Sequence, residues 1–273
     1  MTIAQTFGLT PQEHHTYRNQ GLVRPAYRLP GENVARLRDL VDRTLESTVG
    51  QPPESIVCPY LPGWNGLPDD ITSQWLDVAG TPEIVDYVVS VLGPDVILWG
   101  GQLFCKPAAK GLEVPWHQDG QYWPIRPLAT CSVWVAIDDV TTENGCMRYI
   151  PGSHRKAELF PHVHDEREDL VLNQVTDAAH FDEATARDDE LGAGELSLHD
   201  VYLIHGSQPN RSARRRAGFV LRFMPSSSLF DRQAETGSGS AHFNTNFATR
   251  PIFLMRGDAG ANTEVISRHP RYA

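Results

Sequence analysis

The sequence predicts a mainly β fold with flanking helices, its short strands and Gly/Pro turns suited to closing into a double sheet. Three observations lead there. Helical periodicity is confined to the N-terminal third, where Val34, Leu37, Val41 and Leu45 recur at helical spacing. From Val96 onward the chain breaks into short apolar or alternating runs bounded by turn residues. Among those runs stand three potential ligand groups, His117, Asp119 and His205, polar side chains whose burial is excused only by something they hold.

In chain order, Thr10-Pro11-Gln12-Glu13 reads as a helix start, with Thr10 as N-cap and Pro11 at the first helical position. That helix ends near Gly21, and 22–27 is expected as a short strand. A longer amphipathic helix spans about 32–49, with Arg36, Arg38, Asp39 and Arg43 on its outer face. The stretch 51–70 is rich in Pro, Gly and aromatic residues and reads as an ordered loop. Thr81-Pro82-Glu83 opens another helix, presenting Ile84, Tyr87, Val88 and Val91, and Gly93-Pro94 closes it. Strands are then expected at Val96–Lys106, across 114–120, at 130–140 and 147–150, around Leu196 and Leu198, at 201–205 and at 217–224. The polar, acidic stretch 156–190 reads as an insertion between core strands, and 226–246 as a Ser/Gly-rich loop. The expected organisation is one domain over 1–273. It comprises a helical layer (about 8–95), a β core (about 96–225, with the insertion) and a C-terminal extension (226–273).

Composition bounds the function. The chain has 273 residues, 40% of them hydrophobic, enough to bury a full core. No apolar run approaches the roughly 20 residues that span a bilayer, and the N-terminus lacks the basic and apolar regions of a signal peptide. The four cysteines, Cys58, Cys105, Cys131 and Cys146, show no CxxC spacing, which fits a reducing cytoplasm. A net charge of −10 argues against nucleic acid. Nothing calls for a membrane or an obligate protein partner, which leaves a small-molecule substrate.

His117 and Asp119 lie two apart, and on an extended strand such residues face the same way. HxD alone is weak in a chain with eleven histidines; His164-Asp165 and His199-Asp200 show how readily the two types fall side by side. His205, ending the apolar run Val201 to Ile204, supplies a third ligand. Two histidines and a carboxylate form the facial triad of non-haem Fe(II) oxygenases. A zinc hydrolase could use the same three groups, as could a metal-binding jelly roll without turnover. After His205 comes a polar turn, then Arg214, Arg215 and Arg216, and a new strand. Arg216 stands where that strand begins and could grip a carboxylate with its planar fork. Arg214 and Arg215 read as a solvated turn.

Together, His117-Gln-Asp119, Asn144-Gly145-Cys146-Met147 with Pro151-Gly152-Ser153-His154, and His205-Gly206-Ser207 with Pro209-Asn210 and Arg216 resemble the phytanoyl-CoA dioxygenase (PhyH) family. The resemblance covers about residues 8–225. It implies a double-stranded β-helix, or jelly roll, of cupin-like form, and an Fe(II)- and 2-oxoglutarate-dependent oxygenase that uses O2. It implies that His117, Asp119 and His205 hold the iron. Arg216, eleven residues after the last ligand, would bind the 2-oxoglutarate carboxylate, with Ser207, Trp134 and Gln102 also touching the co-substrate. The implied outcome is hydroxylation of a small metabolite at an unactivated C–H bond, with succinate and CO2 released. Desaturation or cyclisation of a secondary-metabolite scaffold is the alternative. Halogenating relatives carry a small residue in place of the carboxylate ligand, so Asp119 favours hydroxylation. Tyr122 and Trp123, just beyond Asp119, are candidates for the substrate wall. Aromatic rings on an acidic protein suggest a small cationic or amino-acid-like substrate held by cation–π contacts.

Overall fold

The computed structural model describes residues 7–234 and 246–273; most of the Ser/Gly-rich stretch 226–246 and the first six residues lie outside them. Two antiparallel sheets face each other as a jelly roll. The larger runs Leu22–Val23, Leu196–Asp200, Cys131–Ala136, Arg216–Pro225, Val96–Lys106, Ile252–Arg256 and Ile266–Arg268, the last pair being parallel, with Ile56–Val57 beside the far half of Val96–Lys106. The smaller runs Arg187–Asp189, Met147–Tyr149, His205–Ser207 and Val114–His117.

Period-2 alternation decides what each face of the larger sheet meets. On Arg216–Pro225, the side chains of Ala217, Phe219, Leu221 and Phe223 join the main apolar core, with Val133 and Val135 from the next strand. The helices α1 (Pro11–Gln20), α2 (Gly31–Ser47), α3 (Asp69–Ala79) and α4 (Pro82–Leu92) contribute to that core from outside. Trp75 of α3 packs its ring 4.6 Å from that of Phe219, and its indole N–H donates to Thr44 of α2. The other face of the same strands carries Arg216, Gly218, Val220 and Arg222 into the mouth of the roll. The largely buried centre of this sheet therefore sets the positions of the site.

The local signals for α1 and α4 hold. Thr10 and Glu13 form a reciprocal capping box, and Gly21 closes α1 in the left-handed region at φ 81°. Helix α2 matches its periodicity, with Thr44 buried in place of the half-buried Leu45. Elsewhere the structure departs from expectation. The strand expected at 22–27 is only Leu22–Val23; Pro25 follows, with no N–H to offer a ladder. Helix α3 was not anticipated, although Ile71, Trp75 and Ala79 recur at helical spacing behind Asp69 and Asp70. The apolar run 201–204 is a buried turn, not a strand, and His205 begins the next strand instead of ending one. The metal strand stops at His117, and Asp119 opens a single 3₁₀ turn. The stretch 156–190 contains a hairpin (His162–His164 with Gln174–Thr176), but its end, Arg187–Asp189, is an edge strand of the smaller sheet. Likewise Ile252–Arg256 of the C-terminal extension pairs with Val96–Lys106 in the larger sheet. Among the described residues no helix is long and apolar enough to cross a membrane.

Candidate active site

His117, Asp119 and His205 meet in the mouth of the roll. All three are buried, and one ligand atom from each lies within 4.8 Å of the others. His205 pairs in register directly opposite His117 in the smaller sheet, which brings the two ring centroids to 4.2 Å. Asp119 reaches them from its turn, with Oδ1 3.6 Å from His117 Nε2. The sequence expectation of one strand face was thus wrong in detail, yet the extended backbone at Gln118 still delivers both groups to one point.

The donor set suits a metal. His117 Nδ1 lies 2.9 Å from the Pro115 carbonyl and His205 Nδ1 3.0 Å from the Leu203 carbonyl. A carbonyl can only accept, so each Nδ1 carries the proton and each Nε2 keeps its lone pair for the site. Burial, reinforced by the neighbouring His117, pushes the His205 pKa well below the usual imidazole value, which keeps it neutral. Burial works to raise the Asp119 pKa, but the His117 and His199 imidazoles close to its two oxygens outweigh it and hold the carboxyl well below its usual range. Two imidazole nitrogens and a carboxylate are the donor set that a divalent iron site uses.

Arg216 lies deeper in the same cavity, buried, with its guanidinium 4.9 Å above the Trp134 ring. It makes no ion pair with the described residues, and its Nε has no hydrogen-bond partner. Burial lowers its pKa to about 10, so it stays charged at neutral pH. A buried, unpaired guanidinium is costly, and a bound carboxylate would offset that cost. Arg215, expected in a solvated turn, is instead pinned by Asp138 at 3.1 Å and by Asp42 of α2. Arg214 is exposed. Trp134 fits under Arg216 because Gly218 has no side chain: a Cβ there would lie 2.2 Å from Trp134 Cζ2. Gly218→Ala should therefore push the indole and the guanidinium aside. The expected result is about a tenfold rise in the Kd for 2-oxoglutarate by titration, from loss of one charge-assisted bond, with metal affinity unchanged.

Ser207 is buried and lines the cavity beside Arg216. Gln102 also lines it, but both ends of its amide are engaged: Nε2 donates to the Glu54 carbonyl at 2.9 Å, and Oε1 accepts from Arg222 at 3.3 Å. It thus ties Arg222 to the Glu54 backbone while lining the cavity. Tyr122 and Trp123 both line the cavity; the Tyr122 hydroxyl donates to the Gln174 carbonyl of the 156–190 stretch at 2.7 Å. The cavity encloses about 130 Å³ and opens to solvent at its mouth.

Of the cavity residues that escaped the sequence, two bear most on its chemistry. His199 looked like chance adjacency to Asp200. On Leu196–Asp200, however, Leu196 and Leu198 face the helices while Ser197 and His199 face inward. His199 Nε2 lies 3.5 Å from Asp119 Oδ2, and the Ser132 hydroxyl lies 3.5 Å from the same oxygen. His199 thus steadies the carboxylate. His199→Ala is expected to weaken Fe(II) binding about tenfold or more, measured by anaerobic metal titration; unchanged affinity would remove it from the site. The second residue is Arg222, whose guanidinium sits 5.2 Å from the Trp123 ring.

A jelly roll with two histidines and one carboxylate at its mouth is a site of the non-haem iron oxygenase kind. Residues 17–218 match the family model of phytanoyl-CoA dioxygenase (PhyH). The chain belongs to this family of Fe(II)- and 2-oxoglutarate-dependent oxygenases. It is 32% identical over 148 residues to the peroxisomal phytanoyl-CoA dioxygenase of Homo sapiens, covering 52% of this chain and 43% of that one. It is 31% identical over 145 residues to a probable alpha-ketoglutarate-dependent hypophosphite dioxygenase of Stutzerimonas stutzeri, covering 52% and 49%. The chain thus spans about half the length of these curated relatives. Among solved structures it resembles the apo form of the non-haem monooxygenase ThoJ, with a TM-score of 0.70 and 27% identity over 94% of this chain and 88% of that one.

Proposed function

We propose that this chain hydroxylates a small molecule at an unactivated C–H bond, converting 2-oxoglutarate and O2 to succinate and CO2, with His117, Asp119 and His205 holding the iron. The observation that carries this reading is one cavity with a buried His/His/Asp cluster and a buried Arg216 that has no anionic partner among the described residues. Iron held there would supply the oxygen chemistry, coupling oxidative decarboxylation of the keto acid to attack on the substrate.

The chain's own residues orient and exclude. Arg216 holds the distal carboxylate of the keto acid, which points its keto end at the ligand cluster; Ser207 and Trp134 border that carboxylate. Phe104, Val220 and Trp134 make the inner wall apolar and keep bulk water from the reacting atoms. Tyr122, fastened to the 156–190 stretch, forms part of the substrate wall. A single catalytic domain in a reducing cytoplasm belongs to the same proposal; all four cysteines are free and buried.

The test is calorimetric titration of 2-oxoglutarate into the protein with and without Fe(II), under nitrogen. Binding that requires the metal is expected. Equal binding to the metal-free protein would contradict co-substrate placement across the cluster and Arg216.

A further inference from the structure

The chain is acidic as a whole, yet its cavity is not. Arg216, Arg222 and Arg250 line it, against Asp119 as the one carboxylate among the described lining residues. Two of the rings that line it already carry the protein's own cations: Trp123 has Arg222 at 5.2 Å and Phe247 has Arg250 at 4.9 Å. These arginines favour an anionic group in the cavity over the small cation suggested by an aromatic wall on an acidic protein.

We propose that Arg222 forms a second anion subsite, which takes a carboxylate of the substrate, so that the substrate class is a small organic acid with an apolar or aromatic body. This rests on the iron and 2-oxoglutarate reading above. Arg222 lies six residues from Arg216 on the same face of one strand, which separates their Cα atoms by about 20 Å at roughly 3.3 Å per residue. A keto acid anchored on Arg216 with its other end at the ligand cluster is used up before it reaches Arg222. Arg222 lies instead near the Asp119 side of that cluster. It pairs in register with Ser132, whose hydroxyl is 3.5 Å from Asp119 Oδ2.

Nothing described neutralises Arg222. Its one hydrogen bond among the described residues runs from Nη2 to Gln102 Oε1 at 3.3 Å, its Nε has no partner, and no carboxylate lies within ion-pair distance. Asp119 acts on it only through space, and a divalent metal on Asp119 would claim that charge. Gln102, with its other end fixed to Glu54, holds the guanidinium in place. Trp99 and Trp123, whose rings meet edge-on at 4.7 Å, together with Phe247, supply an apolar collar for the body of the acid.

The experiment uses the full chain loaded with Fe(II) and saturated with 2-oxoglutarate under nitrogen, so that Arg216 is already occupied. Acetate, benzoate and 3-phenylpropanoate are each compared with the matching neutral amide, with binding followed through tryptophan fluorescence. At least one acid is expected to bind about tenfold or more tighter than its amide in the wild type. Arg222→Gln is expected to bring that preference within about twofold while still binding 2-oxoglutarate, and Arg222→Lys to keep part of it. A wild type with no acid preference in any pair, or an Arg222→Gln protein that keeps it, overturns the subsite while leaving the iron reading intact. A wild type that fails to bind 2-oxoglutarate overturns the underlying reading and the subsite with it. An equal loss of 2-oxoglutarate affinity in Arg222→Gln and Arg216→Gln would place both arginines on the co-substrate and overturn the proposal.

Discussion

Replacing His117 or His205 by alanine is expected to lower Fe(II) affinity by more than about a hundredfold and to abolish turnover, since even groups that merely orient metal ligands are worth about 10–100-fold. Each imidazole is fixed by its own backbone carbonyl two residues earlier, so no neighbouring side chain is free to take its place. His199 is the nearest other imidazole, and its Nε2 already faces Asp119. Exposed histidines of the 156–190 stretch serve as controls: His164→Ala and His180→Ala should leave metal affinity unchanged. Anaerobic Fe(II) titration with circular dichroism separates loss of the site from loss of the fold. If both single variants bound iron as the wild type does, the ligand assignment would be wrong.

The second large effect concerns Arg216. Arg216→Ala is expected to raise the KM for 2-oxoglutarate at least about tenfold, since charge-assisted hydrogen bonds contribute about 1.5–3 kcal/mol each. Arg216→Lys should recover part of this, because a point charge replaces a planar fork. Arg214→Ala should change neither KM nor stability, because the side chain is exposed. Arg215→Ala should leave KM nearly unchanged but lower the melting temperature, because it cuts the ties to Asp138 and to Asp42 of α2. Equal KM effects at all three positions would mean that the run acts only through net charge.

That His117, Asp119 and His205 come together, with Arg216 in the same cavity, was legible from residue type, spacing and the family resemblance. The capped helices were legible because Thr10, Glu13 and Gly21 act within a few residues of one another. What escaped depends on partners far away in the chain. His199 and Arg222 look ordinary in isolation; only the alternation along their strands, apolar toward the helices and polar inward, marks them as cavity residues. The run 201–204 reveals burial but not extension. It is apolar because it is packed, and as a turn it satisfies its backbone otherwise, with Gln118 Nε2 donating to the Tyr202 carbonyl at 2.7 Å. Ile252–Arg256 is visibly strand-like, but nothing local says that it pairs with Val96–Lys106. Net charge is a poor guide to the cavity because it sums the whole surface, whereas Arg216 and Arg222 line the inside.

The most direct measurement is succinate formed per O2 consumed by the purified protein supplied with Fe(II) and 2-oxoglutarate. The expected result is equimolar succinate and O2, dependent on added Fe(II) and lost in His117→Ala and His205→Ala. Succinate no greater than that from free Fe(II), or an equal yield from those two variants, would contradict an iron-dependent oxygenase built on this site.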